Sequence, residues 1–159
     1  MEIRILPMRT DAEMQGKGYV HYRAWQEAYA DIIPPEVMAR HSLEKCVNNA
    51  RRSSTNTFIA KDGGQVVGFV CYGAYRDDTL THTGEIYALY VLRAYHGMRV
   101  GYRLMQAAMT QLEEYPQVAL WVLRDNLPAQ RFYTRYGFCF DGAEAKIPAG
   151  TEKRMLYKR

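Results

Sequence analysis

The residues with the clearest chemical potential lie in one stretch, Glu85-Ile-Tyr-Ala-Leu-Tyr-Val-Leu-Arg-Ala-Tyr-His-Gly-Met-Arg-Val-Gly-Tyr-Arg-Leu. Gly97 and Gly101 sit in and just after a short turn, with Arg93, Arg99 and Arg103 around them. Before the turn, Ile86 to Leu92 is an unbroken apolar and aromatic run, which suits a strand covered on both faces. After it, Val100, Leu104, Met105, Ala108, Met109 and Leu112 fall on one stripe of a helix. The first N–H groups of a helix have no internal partner, and the helix dipole favours negative charge there. Glycine lets such a backbone approach a ligand closely. This arrangement predicts a site for a phosphate or pyrophosphate. On spacing alone, a plain helix start with solvated arginines accounts for it equally well.

A second constellation is Asn126-Leu-Pro-Ala-Gln-Arg-Phe-Tyr-Thr-Arg-Tyr-Gly-Phe138. Asn126 is a good N-cap, Pro128 suits a first turn and Gly137 a helix end. Ala129, Phe132, Tyr133 and Tyr136 line one face of that helix.

Both stretches resemble the GNAT (GCN5-related N-acetyltransferase) superfamily. His96-Gly97-Met98-Arg99-Val100-Gly101 is similar to its acetyl-CoA signature, in which Arg or Gln is usual at the position of His96 and Gly at that of Arg99. Asn126 to Phe138 matches the second signature in spacing throughout. The resemblance spans nearly the whole chain and is most specific in Glu85–Leu112 and Trp121–Phe138. It implies an N-acetyltransferase that moves acetyl from acetyl-CoA to a primary amine of a small-molecule or peptide acceptor. It implies that His96, Gly97, Met98, Arg99, Val100, Gly101 and Tyr102 hold the pyrophosphate. The main chain of Leu89, Tyr90 and Val91 would pair with the acetyl-pantetheine arm like an added strand and polarise the thioester. Asn126 would contact that arm, and Ala129 and Phe132 would pack beside it. Tyr133 would stand near the sulfur, where an O–H can stabilise or protonate the leaving thiolate. Glu85 occupies a position often used for the base, at times through a water. Trp25 and Tyr29 would line the acceptor site.

Each role has a plainer counterpart. Tyr133 fits a core position with a satisfied hydroxyl, Glu85 a solvated carboxylate at a strand edge, and Trp25 and Tyr29 an ordinary core stripe. His82, on a polar turn, is a lesser candidate base. Two other functions are open to the same turn: a non-catalytic acyl-CoA-binding module, and a phosphoryl-transfer enzyme. The chain lacks the Gly-Lys-Ser/Thr motif that would favour the latter.

The elements that must position these residues follow from pattern. Glu2–Leu6 is a short strand. Thr10 or Asp11 caps a helix carrying His21, Ala24, Trp25, Ala28, Tyr29 and Ile32, although Gly16 and Gly18 blur its start and Pro34-Pro35 stops it. Ser42 caps another short helix. Thr57–Lys61, Gln65–Tyr75 and the Glu85 strand form an antiparallel meander, its first turn marked by Asp62-Gly-Gly. Val118–Leu123 returns parallel to the Glu85 strand through a helical crossover. Phe138–Gly142 and Thr151–Tyr157 make a last antiparallel pair. The expected class is α/β (α+β): a mixed, mainly antiparallel sheet of six or seven strands, a central parallel pair and helices on both faces, in one domain over residues 1–159.

Composition sets the outer limits. The chain has 159 residues, a net charge of +4 and 13 tyrosines. Mild basicity suits an anionic ligand, and no basic run points to nucleic acid. Cys46, Cys71 and Cys139 are odd in number and widely spaced, which reads as reduced, mostly buried thiols of a cytoplasmic protein. No His, Cys or Asp cluster has metal-ligand spacing along the chain. No signal peptide or membrane span is expected. A homodimer is a further implication of the resemblance, with no interface to point to.

Overall fold

Seven strands form one sheet, with six helical segments around it, in the computed structural model, which describes residues 2–159. In chain order they begin with β1 (Ile3–Pro7), α1 (Asp11–Tyr29), α2 (Pro35–Met38) and α3 (Leu43–Arg52). A meander follows, β2 (Thr57–Asp62), β3 (Gln65–Ala74) and β4 (Thr83–Val91). A 3-10 turn at Arg93–Tyr95 leads into α4 (Val100–Gln111), then β5 (Gln117–Leu123), α5 (Leu127–Tyr136), β6 (Cys139–Ile147) and β7 (Gly150–Lys158). The strand order is β1-β2-β3-β4-β5-β7-β6, and every pairing is antiparallel except β4 with β5.

The start of α1 is settled by side-chain chemistry. Thr10 Oγ1 accepts the Glu13 N–H at 3.1 Å, while Glu13 Oε1 accepts the Thr10 N–H at 3.1 Å. This reciprocal box satisfies two otherwise orphaned donors and outweighs the glycines that follow. Those glycines are needed for packing. A Cβ on Gly16 would lie 2.5 Å from Val66, and one on Gly18 would lie 2.6 Å from Val47. Helix α1 therefore seats directly on β3 and α3. It ends at Tyr29, and Pro35 opens the one-turn helix α2 at the position where a missing N–H is harmless.

The final hairpin is longer than the sequence pattern suggests. Strand β6 runs on to Ile147, and the ladder with β7 breaks between Phe140 and Glu144, where Asp141 Oδ1 accepts the Ala143 N–H at 3.0 Å. A second irregularity lies in β4. Cys71 pairs with Ala88 and Tyr72 with Ile86, so Tyr87 is an extra residue with no partner. This bulge sets which side chains share a face. Glu85, Ala88 and Tyr90 point to the α1 side, and Ile86, Leu89 and Val91 to the α4 side.

The apolar layers follow from that division. Val100, Leu104, Met105 and Ala108 of α4 are buried against the sheet together with Val70, Ile86, Val118 and Leu120. Phe138 and Met155, both fully buried, extend this layer toward α5. Thr10→Ala should remove one cap hydrogen bond and cost about 1 kcal/mol. In a thermal melt this corresponds to a fall in Tm of roughly 2–4 °C for a chain of this size; an unchanged melting point would show that the cap does not hold the start of α1.

Candidate active site

The parallel pairing of β4 with β5 covers only Thr83–Ile86 against Gln117–Leu120. Beyond it, β5 continues to Leu123 paired with β7, while Ala88–Val91 of β4 pairs only with β3. The two strands thus part, leaving one edge of Ala88–Val91 open. The helix that follows β4 begins beside this split. Helices α1, α3 and α5 start with side-chain caps from Thr10, Ser42 and Asn126, whereas α4 has none. Its N-cap residue, Arg99, is left-handed at φ 62°, and Gly97 at φ 80° supplies the preceding reversal. Gly97 takes this conformation without the clash a Cβ brings. The free N–H groups of this helix start face outward with their partial positive charge.

The three arginines of the turn separate in role. Arg103 Nη1 donates to the Ile3 carbonyl at 2.9 Å, and Arg93 donates its backbone N–H to Glu27 Oε1 at 2.9 Å and a guanidinium N–H to the Glu27 carbonyl. Both tie the turn to β1 and α1. Arg99 remains at the helix start, lying over the Tyr102 ring at 4.7 Å. His96 is exposed, its Nε2 2.9 Å from the Val91 carbonyl oxygen, so it links the turn to the end of β4. Met98 is exposed as well.

The second constellation folds as its spacing predicts. Asn126 is buried and caps α5, accepting the Ala129 N–H at 3.3 Å. Phe132 meets Gly101: a Cβ there would lie 3.4 Å from its ring and 3.9 Å from Val91. Phe132, Gly101 and Val91 thus converge where α4, α5 and the open edge of β4 meet. Ala129 and Tyr133 are partly buried on the same helix. Burial pushes the Tyr133 phenol well above its usual range, with the nearby Tyr29 adding to the effect.

On the α1 side, three aromatic residues form a hydrogen-bonded wall. Trp25 Nε1 donates to the Tyr90 hydroxyl at 3.1 Å, and the Tyr29 and Tyr90 hydroxyls are 3.2 Å apart. Tyr29 packs with Ile33 and Leu123, which fastens the end of α1 to the end of β5. Burial raises the phenols of both Tyr29 and Tyr90. Trp25 and Tyr29 therefore belong to a packed cluster that borders the split, so the core and site readings meet in the same residues. The phenol of Tyr90 is the hub of this wall, a role its strand position alone does not show.

Glu85 is not a solvated carboxylate. It is fully buried, with Oε1 accepting the Arg76 N–H at 3.0 Å and Oε2 accepting Nε and Nη2 at 2.9 and 2.6 Å. The β4–β5–β7 register also brings Glu152 close enough for its carboxyl to respond to both Arg76 and Glu85; burial, the larger effect, raises it. Glu152 carries no sequence signal, because β7 lies far along the chain from β4; Arg76 lies nine residues before Glu85, in the loop after β3. His82 is exposed at φ 51°. Of the cysteines, Cys46 is buried, Cys71 partly so, and Cys139 exposed, because β6 is an edge strand.

An open strand edge beside an uncapped, glycine-preceded helix start can receive an extended ligand that ends in an anionic group. The model of the acetyltransferase (GNAT) family matches residues 19–138, and the chain belongs to that family. A protein of Archaeoglobus fulgidus described as an uncharacterized N-acetyltransferase is 36% identical over 127 residues, covering 70% of this chain and 86% of that one. The uncharacterized N-acetyltransferase YuaI of Bacillus subtilis is 28% identical over 121 residues, covering 74% and 69%. Among solved structures, the PaiA N-acetyltransferase of Thermoplasma acidophilum in complex with coenzyme A superposes with a TM-score of 0.78 at 21% identity, over 100% of both chains. The chain is thus an acetyltransferase, and the phosphoryl-transfer reading of the turn gives way. Among the described residues, no helix is long and apolar enough to cross a membrane.

The turn generates a prediction. Gly101→Val should weaken CoA binding more than Arg103→Ala, because the new methyls would press on Phe132 at the helix start whereas Arg103 is engaged with β1. Calorimetric titration with CoA reads this directly. Equal affinities in wild type and Gly101→Val would remove the turn from the site.

Proposed function

We propose that this protein transfers acetyl from acetyl-CoA to a primary amine of a small-molecule or peptide acceptor by direct attack. The observation that carries the reading is the open edge of Ala88–Val91 beside the uncapped start of α4. The acetyl-pantetheine arm takes that edge as an added strand, along the main chain of Leu89, Tyr90 and Val91. The pyrophosphate takes the N–H groups of the turn from His96 to Tyr102, with Arg99 adding charge. Phe132 and Ala129 pack against the arm, and Asn126 holds the start of α5 beside it. The acceptor enters from the α1 side, past Trp25 and Tyr29.

The reaction needs two proton movements. The amine loses a proton as its nitrogen attacks the thioester carbon; the C–S bond breaks and CoA leaves as a thiol. Tyr133 serves the second step. Its raised pKa keeps the O–H intact through the neutral range, so it is always a donor. The same shift disfavours full ionisation, so its chief contribution is a hydrogen bond that strengthens as charge develops on sulfur. Glu85 serves the first step. Oε2 is committed to the Arg76 guanidinium, but Oε1 takes only one N–H and keeps a lone pair. A water on that lone pair passes the amine proton to the carboxylate.

Tyr133→Phe keeps the ring packing and removes the hydroxyl alone. Turnover should fall roughly 10²-fold with CoA affinity retained. Single-turnover acetyl transfer measures this without interference from product release, and a wild-type single-turnover rate would leave Tyr133 a core residue. Glu85→Gln should lower turnover by ~10²–10⁴-fold, with the deficit shrinking as pH rises and free amine becomes available. Following free thiol release across a pH series and a panel of amines tests both the base and the acceptor class. Wild-type turnover of Glu85→Gln at every pH would exclude it as the base, and no thiol release with any amine would overturn the reading as a whole.

A further inference from the structure

Away from the coenzyme cleft, His21 of α1, His41 in the turn before α3 and Cys46 of α3 converge behind the aromatic wall. One donor atom from each lies within 4.8 Å of the others. His41 Nε2 is 3.2 Å from the His21 carbonyl oxygen. An N–H at Nε2 donates there, which fixes the tautomer and leaves the lone pair on Nδ1; Cys46 Sγ lies beside the ring, 3.5 Å from Nε2 and 3.9 Å from Nδ1. Metal-binding histidines characteristically donate their other N–H to a carbonyl in this way. His21 Nδ1 is buried with no hydrogen-bond partner, although buried polar atoms are nearly always paired.

We propose that His21, His41 and Cys46 form a site for a zinc-class divalent cation, with two nitrogen ligands and one sulfur ligand and water in the fourth position. Zn–N and Zn–S bonds of about 2.0–2.1 and 2.3 Å place tetrahedral ligand atoms roughly 3.3–3.6 Å apart. Cys46 Sγ and His41 Nδ1, 3.9 Å apart, are already near that spacing, and the widest separation closes by about 1.2–1.5 Å through rotation of the side chains.

The charge states suit the ligands. Burial holds His21 down to about 3, helped by the nearby His41 and Lys17, so it is a neutral imidazole at working pH. Burial pushes the Cys46 thiol up to about 11, so the incoming metal displaces its proton, which leaves to solvent as the sulfur–metal bond forms. Lys17 is the opposing group. It is buried, its ammonium lies over the Phe69 ring at 4.8 Å, and its charge acts on both His21 and Cys46. It repels the cation and attracts the thiolate; because the net charge added on binding is positive, repulsion prevails and affinity is held down. His41 stacks on Trp25 at 4.0 Å and His21 on Tyr90 at 5.7 Å, so a bound metal would brace the aromatic wall from behind.

The test is a Co²⁺ titration of the untagged, chelator-treated full chain. One Co²⁺ per chain should produce a near-ultraviolet sulfur-to-cobalt charge-transfer band, reversed by Zn²⁺. Affinity should rise about tenfold per pH unit below the thiol pKa, because one proton is released. The band should vanish in Cys46→Ser, His41→Gln should bind at least tenfold more weakly, and Lys17→Met should bind more tightly. Circular dichroism establishes that each variant is folded, and if Cys46→Ser is not, His41→Gln decides. Absence of the band in wild type, its persistence in Cys46→Ser, or wild-type affinity in His41→Gln would overturn the assignment.

Discussion

The parallel contact between β4 and β5 is four residues long on each strand, and the rest of the site depends on its ending there. A right-handed crossover through α4 brings β5 beside the start of β4. Strand β7 then holds β5 along its whole length, through Leu123, and draws it away from β4. A strand edge left half-buried has main-chain donors and acceptors that need partners. An extended ligand with amide groups of its own meets that need. The same divergence sets the start of α4 and the face of α5 on one side of the opening and Trp25, Tyr29 and Tyr90 on the other.

Charge is distributed around this opening with economy. The turn proposed to hold the pyrophosphate has three arginines around it, yet two of them are hydrogen-bonded to main-chain carbonyls of β1 and α1. They position the loop, and in the proposed binding mode the backbone supplies most of the attraction for phosphate. On the opposite side, the buried Glu85 accepts hydrogen bonds from three N–H groups of one arginine. Arg76 itself is half-exposed, which moderates the desolvation such a pair suffers.

Much of this was legible in the sequence where local chemistry is strong. Asn126, Pro128 and Gly137 mark the ends of α5 by hydrogen-bonding and dihedral preferences that act within a few residues, and the structure places α5 between them. The change of period between Ile86–Leu92 and Val100–Leu112 marks β4 and α4 for the same reason. What was not legible depends on partners distant in sequence. Nothing near Gly16 or Gly18 announces that Val66 and Val47 need the space a side chain would fill. The Trp25–Tyr90–Tyr29 wall joins residues 61 and 65 positions apart. The burial of Glu85 and the exposure of Cys139 follow from strand order, since β4 is central and β6 lies at the edge. Phe138–Gly142 shows only the first half of β6 because the break at Asp141 interrupts the alternation that would reveal the rest.

The unpaired Tyr87 of β4 makes the site depend on a count as much as on a composition. Without the bulge, plain alternation over the same residues would send the Tyr90 phenol toward α4 and Val91 toward α1 while every residue type in the motif stayed the same. Beyond the bulge, Ala88–Val91 should tolerate many substitutions, but a one-residue change of length there would turn every following side chain to the other face. Across related chains, gaps should fall in the polar loop between β3 and β4 or in the turn between β6 and β7, and not within Ala88–Val91.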